Sequence, residues 1–134
     1  MKIPSFQWKK GSDPKLTIHE KNDVVWITYP SLDQEAWLLN AFSTRLGGVS
    51  TGHVSSMNLS FRQEPNAENV RQNFQRFADA VGFSTDNLVL SKQTHTTNVL
   101  RAGSKDRGRG FSRESGWTDV DGFITDEPGV VLST

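Results

Sequence analysis

One periodic segment constrains this chain more than any other. Between Pro65 and Gly82 the apolar residues Ala67, Val70, Phe74, Phe77, Ala78 and Val81 recur at helical spacing. Glu68, Arg71, Gln72, Gln75 and Arg76 fall on the opposite face. The spacing predicts a helix over 66–81. Pro65 suits its first turn, where a missing N–H costs little, and Gly82 suits its end. Such a helix is stabilised by burying its apolar stripe, and a sheet is the expected partner.

The rest of the chain reads as short strands and turns. DVVWITY (23–29) is β-branched and aromatic and stops at Pro30. AWLLNAFST (36–44) reads as a second strand running into Arg45-Leu46-Gly47-Gly48, and VSSMNLSF (54–61) as a third. Segments 87–91 and 97–101 read as strands around a polar run. Segments 119–125 and 129–133 read as strands separated by a turn at Glu127-Pro128-Gly129. KKGSDPK (9–15) reads as a turn, and 103–118 as a long irregular loop. The 134 residues suit one domain. The last strand pattern meets the end of the sequence at Thr134 with no closing turn, which reads as truncation.

Composition narrows the function classes. Lys plus Arg is 15 and Asp plus Glu is 15, so the chain is not built to coat nucleic acid or an anionic membrane. The longest purely apolar runs are four residues, as in Val24-Val25-Trp26-Ile27, against the roughly 20 residues of a membrane span. The N-terminus lacks the apolar core of a secretory signal, so a cytoplasmic protein is expected. There is no cysteine, hence no disulfide, thiolate ligand or thiol nucleophile within these residues. Four Trp and eight Phe argue for a foldable chain.

Three features could carry chemistry. Of the three histidines, His19 sits in the charged stretch LTIHEKND and reads as solvated, and His53 follows Gly52 as a turn residue. His95 lies in SKQTHTTN (91–98), where every residue can form hydrogen bonds, between two apolar strands. That placement fits either a polar turn or a cleft-lining segment. Arg45 follows two hydroxyl residues and precedes two glycines. A guanidinium forks onto phosphate or carboxylate, but the same pattern also fits a β-turn with a surface Arg. RAGSKDRGRGFSR (101–113) has five basic residues and one acidic. It reads as a solvated loop, with a nucleic-acid segment the sharper alternative. Asp119 and Asp121 are two apart and would share a strand face as a carboxylate pair, or Asp121-Gly122 simply opens the strand.

The blocks AFSTRLGGVSTG (41–52), SSMNLSF (55–61), PNAENVRQNFQRFADAVG (65–82), SKQTHTTNV (91–99) and VDGFITDEPGVVLST (120–134) occur in this order. Together they resemble the laccase-domain, or YfiH-like, family from about residue 37 onward. The resemblance implies an α+β fold with mixed β-sheets flanked by helices, of which residues 1–134 would be the N-terminal portion of one domain. It also implies a purine nucleoside phosphorylase that deaminates adenosine and cleaves methylthioadenosine, with purine nucleoside and phosphate as its ligands.

The same resemblance makes His95 one of three zinc ligands, the others being a Cys and a second His that would follow Thr134. Ser43, Arg45 and Asn58 match polar positions near the family's pocket, and Gln93 matches the glutamine of its QxH block. Arg45 and His95 are the expected catalytic residues, and Ser43, Asn58 and Gln93 the expected substrate contacts. Zinc is the implied cofactor; copper belongs to the older polyphenol-oxidase description. An inactive or purely binding module and a peptidoglycan-editing role are the other readings.

Overall fold

The computed structural model describes residues 15–134. The turn expected over 9–15 lies outside the described residues except for Lys15. The chain is mixed α+β, with small sheets and few helices, and divides into two compact units at Val81–Gly82.

In the first unit, strands β1 (Thr17–Lys21), β2 (Val24–Thr28) and β3 (Phe42–Ser43) form an antiparallel sheet in that order. Asn22 and Asp23 join β1 to β2 with φ of 53° and 65°. Two left-handed residues make the hairpin turn whose twist matches its strands, and short polar side chains tolerate it best. Strand β1 was not expected from the sequence. His19 sits on it opposite Trp26, stacked at 5.1 Å, and its Nε2 meets the Thr28 hydroxyl at 2.8 Å. It is half-buried rather than solvated, because the hairpin turns the ring onto its neighbour. Thr28 donates in turn to Asp33 at 2.7 Å, so His19 Nε2 is the donor of that pair.

The expected strand 36–44 shrinks to β3. Asn40 Oδ1 accepts the Tyr29 N–H at 2.9 Å, taking a donor that a longer ladder would use. The apolar residues of this stretch stay at the surface, with Trp37 80% exposed. The expected strand 54–61 is likewise absent: a 3₁₀ turn covers Gly52–Val54 and only the bridge Ser50–Ser56 remains.

After the one-turn helix α1 (Pro30–Asp33), the predicted helix forms as α2 (Ala67–Val81) and lies against β2. Asn66 caps it by accepting Glu68 N–H at 3.1 Å, which leaves Pro65 before the helix instead of in its first turn, and Gly82 ends it at φ 103°. Val70, Phe74, Phe77 and Ala78 are buried with Val24, Val25 and Met57. Burying a side chain of this kind contributes about 1.5–3 kcal/mol.

The second unit holds two parallel pairs. Strand β4 (Leu88–Leu90) pairs with β7 (Val131–Ser133), and β5 (Val99–Arg101) with β6 (Gly122–Ile124). The strands expected on either side of the 127–129 turn therefore do not pair with each other. Strand β4 is buried throughout, and its other edge is covered by loop 103–118, with Gly108 N–H on Leu88 O at 2.6 Å and Leu90 N–H on Arg109 O at 2.9 Å.

That loop is irregular as expected, apart from the 3₁₀ turn Ser104–Asp106, and its basic residues hold its shape. Arg109 meets the buried Asp106 at 3.1 Å, Ser115 O at 2.8 Å and the Trp117 face at 4.8 Å. Arg113 donates to the carbonyls of Lys105 and Arg107. Arg101 pairs with Asp126 at 2.5 Å, and Arg107 donates to Pro128 O at 3.1 Å. Guanidinium groups spent in this way do not present a stripe to phosphates.

Candidate functional site

The expected site residues fall in both units: Ser43, Arg45 and Asn58 in the first, Gln93 and His95 in the second.

The Arg45 loop begins where β3 leaves the sheet. Thr44 bonds Val25 O through both its N–H (3.2 Å) and its hydroxyl (2.7 Å). Gly47, at φ 89°, then passes so close to Asp23 that a Cβ would collide with its carbonyl. Gly48 is packed in the same way on Ser56. Only glycine permits this double approach. The chain returns at Ser56 and Met57, whose N–H groups both reach Arg45 O, at 3.2 and 3.0 Å. The exposed Arg45 side chain uses Nε and Nη2 on Ser55 O (3.2 and 2.9 Å) and Nη2 on His53 O (3.4 Å). The bonds seen among the described residues do not involve Nη1. Ser43 is exposed on β3, opposite Trp26.

Asn58 is engaged within its own loop. Its Nδ2 donates to Ser60 O at 3.2 Å and Glu64 Oε2 at 3.3 Å, and its Oδ1 accepts Ser60 N–H at 3.0 Å. Glu64 also accepts the Ser50 hydroxyl at 2.6 Å and Asn69 Nδ2 at 3.3 Å. The Ser50 bond, followed by those of Asn58, Asn66 and Asn69, outweighs partial desolvation and holds the Glu64 carboxyl below its ordinary value.

Beneath this loop lies Asn73, fully buried on α2. Its Oδ1 accepts Val49 N–H at 2.7 Å, and its Nδ2 reaches Ser50 Oγ (2.9 Å), Ser56 O (3.3 Å) and Asn58 O (2.9 Å). One neutral amide thus ties together both arms of the Arg45 loop. The sequence signal for it was a polar residue lying between Val70, Phe74 and Phe77 on the apolar stripe.

The His95 loop leaves the carboxyl end of β4 and enters β5. Gln93 and His95 are both exposed, and His95 has φ 64°, in the left-handed region. Asp121 Oδ1 accepts Thr94 N–H at 2.5 Å, and Asp121 Oδ2 accepts Thr96 N–H. Desolvation pulls the Asp121 carboxyl upward, but bonds from Thr94, Thr96 and His95 outweigh it and leave it below its ordinary value. Asp119 Oδ1 accepts the Thr94 hydroxyl at 3.1 Å, while Asp119 O accepts Thr96 Oγ1 at 3.3 Å and Asn98 Nδ2 at 2.9 Å. Asp119 has φ 53°, so it interrupts the expected strand 119–125 and the two carboxylates do not stand side by side as a strand pair.

A family model described as multi-copper polyphenol oxidoreductase laccase matches residues 39–134. The chain belongs to this family. It is 33% identical over 94 residues to a purine nucleoside phosphorylase of Deinococcus radiodurans, covering 70% of this chain and 33% of that protein. It is 32% identical over 105 residues to a purine nucleoside phosphorylase of Bacteroides thetaiotaomicron, covering 78% of this chain and 39% of that one. The crystal structure of YlmD from Geobacillus stearothermophilus superposes with a TM-score of 0.73 at 27% identity, covering 89% of this chain and 43% of the other. The chain therefore spans about a third of the length of these curated relatives.

The resemblance to the laccase family raises the question of a metal. No group of three or more His, Cys, Asp and Glu able to hold an ion occurs among the described residues. His95 supplies one imidazole, and the residues present do not fit a resident zinc or copper ion. No helix among the described residues is long and apolar enough to cross a membrane.

Proposed function

We propose that this chain carries the N-terminal part of a cytoplasmic purine nucleoside phosphorylase, residues 1–134 being a portion of one laccase-family domain. The observation that carries the reading is the match over residues 39–134, together with relatives named for that activity. In phosphorolysis a phosphate oxygen bonds to the sugar C1′ as the bond from C1′ to the purine nitrogen breaks. The purine leaves with the electron pair and takes up a proton; the sugar leaves as its 1-phosphate. Adenosine, inosine and methylthioadenosine are the substrates, and deamination of adenosine is a second activity of the same reading.

Each role is assigned within its own unit. Arg45 is the phosphate-holding group. Two of its nitrogens are braced on main-chain carbonyls, which fixes the plane of the fork and lowers the entropy lost on binding an anion. Ser43 and Asn58 are substrate contacts near it, Asn58 through a side chain already fixed by Glu64. His95 offers an imidazole able to deliver the proton the departing purine takes up, with Gln93 beside it in the loop. Zinc would require ligands beyond His95.

The test is purine release from inosine and adenosine, with and without phosphate, by the whole phosphorylase of which this chain is proposed to be the N-terminal part. Phosphate-dependent turnover, a raised phosphate KM in Arg45→Ala and a lowered kcat in His95→Ala are the expected results. No turnover by that whole protein under any condition would overturn the phosphorylase reading in favour of a non-catalytic module.

A further inference from the structure

We infer that Asp121 is the positioning residue of His95, acting through the main chain of the loop that carries it. The inference takes the importance of His95 from the proposed phosphorylase reading; the geometry stands without it. His95 is one of four non-glycine residues among those described with positive φ, and the other three lie in the β1–β2 turn and at Asp119. A side chain in the left-handed region costs about 1–2 kcal/mol and persists only where the surroundings impose it. Here a carboxylate imposes it. A left-handed residue flanked by extended or right-handed neighbours turns successive N–H groups toward one point, making a small concave anion site. The two oxygens of Asp121 fill that concavity from 25–27 residues away, one on Thr94 N–H and one on Thr96 N–H.

Asp119 closes the outside of the same loop through the Thr94 and Thr96 hydroxyls and Asn98. The base of the frame is also fixed: Asp121 N–H and Gly122 N–H both bond Asn98 O, at 3.1 and 3.3 Å, and Lys92 bridges to Val120. The loop is thus tied at both ends and clamped in the middle, and His95 is the residue at the clamped point. A polar turn with no task would not need a strained histidine held by a carboxylate from the residue just before β6. The same loop with glycine at 95 would close at lower cost.

The test uses the 134-residue chain and its Asp121→Asn, Asp121→Glu and Asp119→Asn variants. Amide exchange is read by NMR, and carbethoxylation of His19, His53 and His95 by mass spectrometry. In the unmodified chain the Thr94 and Thr96 amides should exchange slowly. In Asp121→Asn both should exchange roughly tenfold faster or more, because an amide oxygen replaces a two-oxygen anion. The carbethoxylation rate of the exposed His95 should change severalfold as the loop loses its clamp, while His19 and His53 keep their rates. Asp121→Glu should restore part of the slow rate, and Asp119→Asn should have the smaller effect. Fast exchange of Thr94 and Thr96 in the folded unmodified chain would overturn the inference without any variant. So would a change in Asp121→Asn shared equally by all three histidines, which marks general loosening. Absence of purine release bears on the phosphorylase reading and leaves these readouts intact.

Discussion

Around Arg45 the loop is gripped from within. The buried amide of Asn73 bonds both of its arms, and Phe74 and Val70 beside it shut out water. Around His95 the loop is gripped from the surface, by the carboxylates of Asp119 and Asp121 meeting main-chain N–H and threonine hydroxyls. A neutral buried amide has no alternative partner, so its bonds are costly to lose and indifferent to pH and salt. An exposed carboxylate exchanges its partners with water, so its hold is weaker, local and dependent on ionisation. The first arrangement suits a part of the molecule that must never move. The second suits one that must be held in a strained shape without being locked into a core.

The largest expected effect tests the first grip. Asn73→Ala leaves Val49 N–H and the carbonyls of Ser56 and Asn58 without their buried partner. A loss of about 3 kcal/mol is expected in urea unfolding. A loss no larger than that of a surface Asn→Ala would erase the contrast between the two loops. The comparable anchor of the second unit is Asp106, buried, bonded to Gly103 N–H at 3.0 Å and paired with Arg109. Asp106→Ala should cost about 2 kcal/mol and raise protease cutting within 103–118. Unchanged proteolysis would mean that the arginines order that loop without it.

These grips also mark how far the sequence could be read. Helix α2 and strands β2, β4 and β5 were legible because period and β-branched runs are local signals. Strand β1 was not, since Glu20, Lys21 and the adjoining Asn-Asp looked like a charged surface stretch. The parallel pairings β4–β7 and β5–β6 join segments too distant for any turn signal to announce. Segment 36–44 was over-read because the Asn40 side chain, not a neighbouring strand, takes the Tyr29 N–H. For the candidate site, the motif blocks located Arg45 and His95. What holds them, Asn73 for one and Asp121 for the other, acts across 15–27 residues and leaves no mark on local spacing.

Within the first loop, acid should separate the neutral amide of Asn73 from the carboxylate of Glu64 that also braces it. The Glu64 carboxyl is held below its ordinary 4.5, first by Ser50. A depressed folded-state value stabilises the fold at pH above the unfolded value, and that stability disappears as pH falls through the depressed one. The stability gap between the unmodified chain and Glu64→Gln should therefore be widest above about pH 4.5 and close in stronger acid. The gap between the unmodified chain and Asn73→Ala should stay constant over the same range. A pH-independent Glu64→Gln gap would place the bond energy in shape rather than charge.

The smallest effect is the most discriminating, because its sign is unusual. His95→Gly and His95→Ala both remove the imidazole, and both should lower purine release. They differ in the backbone. Alanine keeps the strain of the left-handed conformation, about 1–2 kcal/mol, whereas glycine relieves it at an entropic cost of about 0.5–1 kcal/mol. His95→Gly should then be about 0.5–1 kcal/mol more stable than His95→Ala, and no less stable than the unmodified chain, in thermal unfolding. Such a gain at the expense of turnover is the signature of a residue kept for its side chain against the preference of its backbone. Were His95→Gly the less stable of the pair, the loop would owe its shape to the histidine itself, and Asp121 would be filling a concavity it does not create.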